Sequence, residues 1–98
     1  MSGERVHFTV RGRVQGVGFR AWTAHQAELR GLTGWVRNRR DGAVEAVAAG
    51  PAQAVDLLLK ACAQGPGGSR VDTLEVHART AGPPPPDEAR GFAIRDTV

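Results

Sequence analysis

The sequence contains few of the residues on which several classes of protein depend. Its single cysteine, Cys62, excludes an internal disulfide and a metal site built from several cysteines. Its apolar runs are short: the stretch 43–49 is interrupted by Glu45 and is far below the ~20 residues that a membrane helix needs. Residues 1–5 lack the apolar segment of a secretory signal. We therefore expect a cytoplasmic protein without a membrane partner.

Lysine and aromatic residues are also scarce. Of the 13 basic residues only Lys60 is a lysine, and the chain has three phenylalanines, two tryptophans and no tyrosine. The formal net charge of +3 permits an anionic partner without identifying one. A sheet that binds RNA needs exposed aromatic residues on its strands, and the pattern favours core positions for Phe8, Trp35 and Phe92. We expect no nucleic-acid partner, and treat a basic RNA-binding domain as the weakest alternative.

The length and the hydrophobic pattern together predict the fold. A chain of 98 residues holds one hydrophobic core, so we expect residues 1–98 to form a single domain. Alternation of apolar and polar residues predicts strands at 5–14, 33–38, 43–49 and 71–79, and a short last strand at 92–94. Helices are predicted over 21–30 and from Pro51 onward. This order predicts an α+β, ferredoxin-like βαββαβ sandwich, an antiparallel sheet with two helices on one face.

The stretch from Gly12 to Arg20 joins the first strand to the first helix. Gly16 and Gly18 let the backbone turn so that successive N–H groups face one point, and such a loop at a helix N-terminus binds anions. Arg20 follows where the first helical turn begins, and its guanidinium can hold two phosphate oxygens. On this pattern alone, a plain glycine-rich loop with a solvated arginine explains the stretch equally well.

The same loop also satisfies the relaxed dinucleotide-binding pattern, Gly16-x-Gly18-x-x-Ala21, with Asp41 roughly twenty residues further on. The strand before it alternates between polar and apolar residues, unlike a strand buried on both faces of a parallel sheet. The chain is also too short for the second half of a doubly wound sheet. Dinucleotide binding is therefore disfavoured.

A second block runs from Gly34 to Gly50 and places Asn38 at the end of a strand, where asparagine often simply initiates a turn. Together the two blocks resemble the acylphosphatase family. Its members carry Gly-x-Val-Gln-Gly-Val-x-Phe-Arg, matched from Gly12 to Arg20. They also carry Gly-Trp-Val-x-Asn with downstream Gly, Val and Gly, matched from Gly34 to Gly50. The ending Phe92-Ala93-Ile94-Arg95 extends the resemblance over nearly the whole chain.

The resemblance implies a hydrolase that cleaves small-molecule acyl phosphates to a carboxylate and inorganic phosphate. It implies a phosphate-binding loop in which Arg20 and the backbone amides hold the phosphoryl group; its residues are Gln15, Gly16, Val17, Gly18, Phe19 and Arg20. Asn38 is implied to orient the attacking water. Neither a metal, nor another cofactor, nor a covalent intermediate is expected, and we expect a monomer. Arg39 stands where some members have threonine.

Several alternatives accompany this hypothesis. A phosphatase with a cysteine nucleophile needs Cys-x5-Arg, but Gly68 stands at that distance from Cys62, which is better interpreted as a core residue. The three histidines are scattered without metal-ligand spacing: His7, His25 and His77. A module that acts on carbamoyl phosphate within a larger carbamoyl-transfer maturation protein is the main functional alternative.

Two further features receive no firm role from the sequence. The arginines around the predicted site are interpreted first as solvated turn charges, and alternatively as groups that steer an anionic substrate; they are Arg37, Arg39 and Arg40. The run Pro83–Pro86 cannot enter a central strand and predicts an extended surface loop.

Overall fold

The computed structural model describes residues 3–98 and contains the predicted elements in the predicted order. The strands are β1 (Glu4–Arg13), β2 (Thr33–Asn38), β3 (Val44–Gly50), β4 (Arg70–Ala81) and β5 (Phe92–Ile94). The helices are α1 (Phe19–Leu29) and α2 (Ala52–Gln64), with a short 3₁₀ turn at Pro86–Glu88. The bounds of β2 and β5 agree with those predicted, whereas α1 begins earlier, at Phe19, and β4 is longer at both ends.

The five strands form one sheet in the order β4-β1-β3-β2-β5. β1 pairs antiparallel with both β3 and β4, and β2 pairs antiparallel with β3. The ferredoxin-like arrangement is therefore confirmed. The short strand β5 adds to the free edge of β2 in parallel, with Gly34 opposite Phe92, so the complete sheet is mixed rather than wholly antiparallel.

The hydrophobic core lies between the two helices and one face of the sheet. Alternate residues of β1 supply Val6, Phe8 and Val10, which are at most 1% exposed. Side chains from both helices complete this cluster, among them Phe19, Ala27, Val55, Leu58 and Cys62. The interpretation of Cys62 as a core residue is confirmed. Burial raises the pKa of its thiol to about 12, which leaves it protonated and unreactive at neutral pH.

The opposite face of the sheet, called the polar face below, carries charged side chains beside the buried apolar residues Trp35, Val47 and Ala49, and the proline-rich segment covers part of it. Pro83–Pro86 leads into the 3₁₀ turn that carries Glu88, a carboxylate only 5% exposed. Glu88 accepts hydrogen bonds from Arg5 Nε at 2.6 Å and Nη2 at 2.9 Å, and from Trp35 Nε1 at 3.0 Å. The prolines thus belong to a connection that anchors a buried charge to the sheet.

Replacing Glu88 by glutamine tests this anchor. We expect Glu88→Gln to lower the free energy of unfolding by about 1–3 kcal/mol, because Arg5 then lies beside a neutral group that cannot accept both of its hydrogen bonds. Urea unfolding at pH 7 measures the change. An unfolding free energy equal to that of the wild type would show that the 3₁₀ turn is held by its prolines alone.

Candidate active site

A cleft of about 210 Å³ brings together the two blocks that the sequence singles out. It opens where the end of β1, the start of α1, the end of β2 and strand β5 meet. Its lining residues are Val14, Gly16, Gly18, Phe19, Arg20, Ala21, Asn38 and Ile94. Arg20 and Asn38, the two residues predicted to act in catalysis, therefore face the same space.

Two glycines shape the floor of the cleft. Gly16 has a φ of 74° and Gly18 a φ of 78°, in the left-handed region that glycine adopts without steric cost. A Cβ added at either position would meet nothing within 4 Å. The backbone conformation, and not a lack of space, therefore requires glycine here.

Gly18 is also the N-cap of α1, and no side chain among residues 3–98 caps this end of the helix. The first N–H groups of a helix have no partner within the helix, and they lie at the positive end of its dipole. Gly18, Phe19 and Arg20 all line the cleft, and the N-terminus of a helix is a favourable position for an anion.

Arg20 adds a full positive charge to this end of the cleft. It lies half-buried in the first turn of α1. Arg20 takes part in none of the ion pairs formed within residues 3–98, whereas Arg5, Arg37, Arg39 and Arg79 all pair with carboxylates. Its guanidinium is therefore available to an external anion.

Asn38 is the last residue of β2 and pairs with Val44 in the sheet. Its Oδ1 atom is buried and has no hydrogen-bond partner in the part of the chain that the structure describes. A buried amide oxygen without a donor is costly. Since Asn38 also lines the cleft, its side-chain amide is a candidate hydrogen-bonding group for a molecule bound there.

The remaining residues of the predicted loop support it from outside the cleft. Gln15 Nε2 donates hydrogen bonds to the carbonyl oxygens of Arg39, at 2.7 Å, and Ala43, at 2.9 Å. Val17 packs against the hydrophobic core. The side chain of Gln15 thus ties the loop to the β2–β3 hairpin, a contact that the sequence pattern did not reveal. Only backbone N–H groups of these two residues are candidates for phosphate binding.

Two of the three arginines around Asn38 differ from the first sequence interpretation, whereas Arg40 is the exposed turn charge that it predicts. Arg37 Nε and Arg39 Nη1 donate to Oε1 of Glu45, at 2.8 and 3.0 Å. Arg37 and Arg39 are therefore paired with a buried carboxylate rather than being simply solvated turn charges, while steering of a substrate stays a prediction. Arg40 is exposed, and its backbone N–H donates to the carbonyl oxygen of Val98 at 2.7 Å.

The histidines are less scattered than the sequence predicts. The rings of His7 and His77 lie 5.0 Å apart on the polar face, because β1 and β4 are neighbours. His7 bonds Glu45 at 2.7 Å and His77 bonds Thr9 at 2.9 Å, so both have polar partners within the protein.

Within residues 3–98, no group of three or more His, Cys, Asp or Glu side chains is arranged to hold a metal ion. Neither helix in that range has the length and apolar character needed to cross a membrane.

The topology and the cleft define an α+β domain of the ferredoxin-like class with a cleft at the start of its first helix. A family model described as Acylphosphatase matches residues 6–94, and the chain belongs to the acylphosphatase family. The acylphosphatase of Azorhizobium caulinodans is 48% identical over 95% of this chain and 96% of its own length.

Solved structures agree with this assignment. The acylphosphatase of Bacillus subtilis superposes with a TM-score of 0.79 at 37% identity, covering 97% of this chain and 99% of that one. The acylphosphatase of Coxiella burnetii gives a TM-score of 0.84 at 32% identity, with 96% and 94% covered.

The charge of Glu45 predicts a pH dependence of stability. Burial alone would raise the pKa of Glu45, but hydrogen bonds from Arg37, His7 and Arg39 outweigh it and lower the pKa from 4.5 to about 2. Between these values the unfolded chain binds more protons than the folded one, so stability falls as the pH falls. We expect the free energy of unfolding to decrease from about pH 5 toward pH 2, and less steeply in Glu45→Gln. Urea unfolding at several pH values measures both slopes, and equal slopes would contradict this account.

Proposed function

We propose that this protein hydrolyses acyl phosphates by direct attack of a water molecule that Asn38 orients, while Arg20 and the backbone amides at the start of α1 hold the phosphoryl group. The observation that carries this proposal is the cleft itself. Within residues 3–98, it combines an arginine without a counter-charge, an uncapped helix N-terminus and a buried amide oxygen without a donor. The first two favour a phosphate dianion, and the third favours a water beside it.

The phosphoryl group is the part of the substrate that this cleft recognises. Arg20 offers a planar pair of N–H donors that matches two phosphate oxygens. The N–H groups at the start of α1 supply further donors, which the conformations of Gly16 and Gly18 aim without any side-chain movement. Because these donors are fixed before the reaction, they stabilise the charge on the equatorial oxygens in the transition state.

The leaving group needs little help from the protein. A carboxylate has a conjugate-acid pKa of about 4 to 5, so it departs without a general acid. Phosphoryl transfer passes through a loose transition state in which the nucleophile forms little bond, so a strong general base is unnecessary. Positioning and electrostatic stabilisation therefore account for the catalysis.

Asn38 suits the remaining task, which is to place the water. Its Oδ1 accepts one water proton in a hydrogen bond and leaves an oxygen lone pair directed at phosphorus. The water oxygen forms a bond to phosphorus while the bond to the carboxylate oxygen breaks, and the released proton passes to solvent or to the phosphate product. A neutral amide performs this orientation without repelling the dianion, as a carboxylate would.

An assay over several acyl phosphates tests the proposed function. We expect purified protein to hydrolyse benzoyl phosphate with a chelator present and no metal added, because the described donors suffice for phosphoryl binding. Carbamoyl phosphate in the same panel tests the alternative of a carbamoyl-phosphate-directed module. Activity that appears only after a divalent metal is added would contradict the proposed mechanism.

Two variants separate the proposed roles of the cleft residues. Arg20→Gln is expected to abolish inhibition by inorganic phosphate and to lower kcat/KM by about a hundredfold or more, since it removes a charged donor to the phosphoryl group. Asn38→Ala is expected to lower kcat by a similar factor while phosphate inhibition changes little. Steady-state kinetics with phosphate as inhibitor measure both, and Arg90→Gln, an exposed arginine outside the cleft, is the matched control. Turnover near the wild-type value in Asn38→Ala would refute its role in orienting water.

A cytoplasmic location and a monomeric state remain predictions. The cleft is formed within one chain, by α1, β2, β5 and the loop between β1 and α1, which supports activity of a monomer. Sedimentation of the purified protein in the concentration range of the assay tests this directly.

A further inference from the structure

We propose that Glu45 is a positioning residue for the hydrolysis, which holds Asn38 in place from the opposite face of the sheet. The inference rests on the proposed role of Asn38. Glu45 lies in β3, directly across from Arg37 of β2 and Thr9 of β1. It is only 6% exposed, so its charge is stabilised by the groups that it contacts and little by solvent.

Glu45 holds both residues that flank Asn38 in the chain. A single carboxylate oxygen, Oε1, accepts from Arg37 Nε at 2.8 Å and from Arg39 Nη1 at 3.0 Å. The other oxygen, Oε2, bonds His7 Nε2 at 2.7 Å. The carboxylate thus connects β1, β3 and both sides of Asn38.

Because of the geometry of a strand, the contacts of Glu45 with Arg37 and Arg39 also restrict the position of Asn38. Successive side chains of a strand point to opposite faces, so Arg37 and Arg39 point to the polar face while Asn38 points to the cleft. Fixing the two arginines restricts rotation of the backbone between them. The direction of the Asn38 side chain then follows from the backbone, since its Oδ1 has no partner among residues 3–98.

The hydrogen bonds from Arg37 and Arg39 to Glu45 act at the end of β2. β2 ends at Asn38, and strand ends are less constrained than strand centres. Backbone hydrogen bonds act here too, from Val98 N to the Asn38 carbonyl at 3.2 Å and from Arg39 N to the Ala43 carbonyl at 2.8 Å. Arg37 is additionally stacked on the Trp35 ring, with Cζ 4.6 Å from the ring centroid. Glu45 adds a charged contact to these restraints, because its carboxylate bonds the arginines on both sides of Asn38.

The variant Glu45→Gln keeps the shape of the side chain and removes its charge. We expect kcat to fall about tenfold, because small displacements of a positioning group carry large losses in rate. Inhibition by inorganic phosphate should change less than about twofold, because the side chains that bond Glu45 within residues 3–98 are His7, Arg37 and Arg39, and not Arg20. Glu88→Gln is the matched control: its carboxylate is equally buried on the same face but binds Arg5 and Trp35. It should lose stability and retain kcat.

A double-mutant cycle decides whether Glu45 acts through Asn38. If it does, Glu45→Gln lowers kcat no further in the Asn38→Ala background. An equal fall in kcat on adding Glu45→Gln to the wild type and to Asn38→Ala overturns the inference. So does a kcat of Glu45→Gln equal to that of Glu88→Gln at the same temperature.

If Glu45→Gln does not fold, Arg39→Ala replaces it, since it removes one of the two arginines that bond Glu45 and does so at a partly exposed position. It should lower kcat without altering phosphate inhibition, and an unchanged kcat overturns the inference.

These outcomes are distinct from a failure of the proposed function. Wild-type turnover in Asn38→Ala refutes the role of Asn38 and, with it, any positioning through that residue. A strong loss in Asn38→Ala together with full activity in Glu45→Gln refutes the role of Glu45 alone.

Discussion

The pairing of β3 between β1 and β2 is the constraint on which the cleft depends. Val44 lies opposite Val10 of β1 on one side and Asn38 of β2 on the other. This register brings the end of β1, from which the loop leading to α1 departs, to the same end of the sheet as Asn38. The side chain of Gln15 then bonds the loop to the hairpin at that edge. A slip of one residue would turn Asn38 to the polar face and Arg37 to the cleft.

The same alternation divides the charges of the protein between two faces. The helix-covered face carries the core and, at its edge, Arg20, which has no carboxylate partner in the described part of the chain. Two buried carboxylates lie on the polar face. Glu45 accepts hydrogen bonds from arginine and histidine side chains, and Glu88 accepts them from arginine and tryptophan side chains. Two of the arginines around the site, Arg37 and Arg39, therefore balance a buried carboxylate. This is why the net charge of +3 is a poor guide to the partner.

Local patterns predicted much of the fold because its strands have one apolar face. The bounds of β2 and β5 and the order of all elements followed from alternation and turn residues. The early start of α1 was missed, because glycine at an N-cap gives no side-chain signal. The parallel docking of β5 and the burial of Glu88 were missed for another reason. Arg5 and Glu88 are 83 positions apart, and no short-range pattern connects them.

For the site, the sequence by itself determined the chemistry that is available: glycines able to adopt a positive φ, an arginine at a helix start and an asparagine at a strand end. Each of these follows from a residue type and its local conformation. Only the tertiary structure decided that they share one cleft, that Arg37 and Arg39 point away from it, and that His7 and His77 are neighbours. Those facts depend on strand register and sheet order. Both are set by the packing of distant segments against a common core.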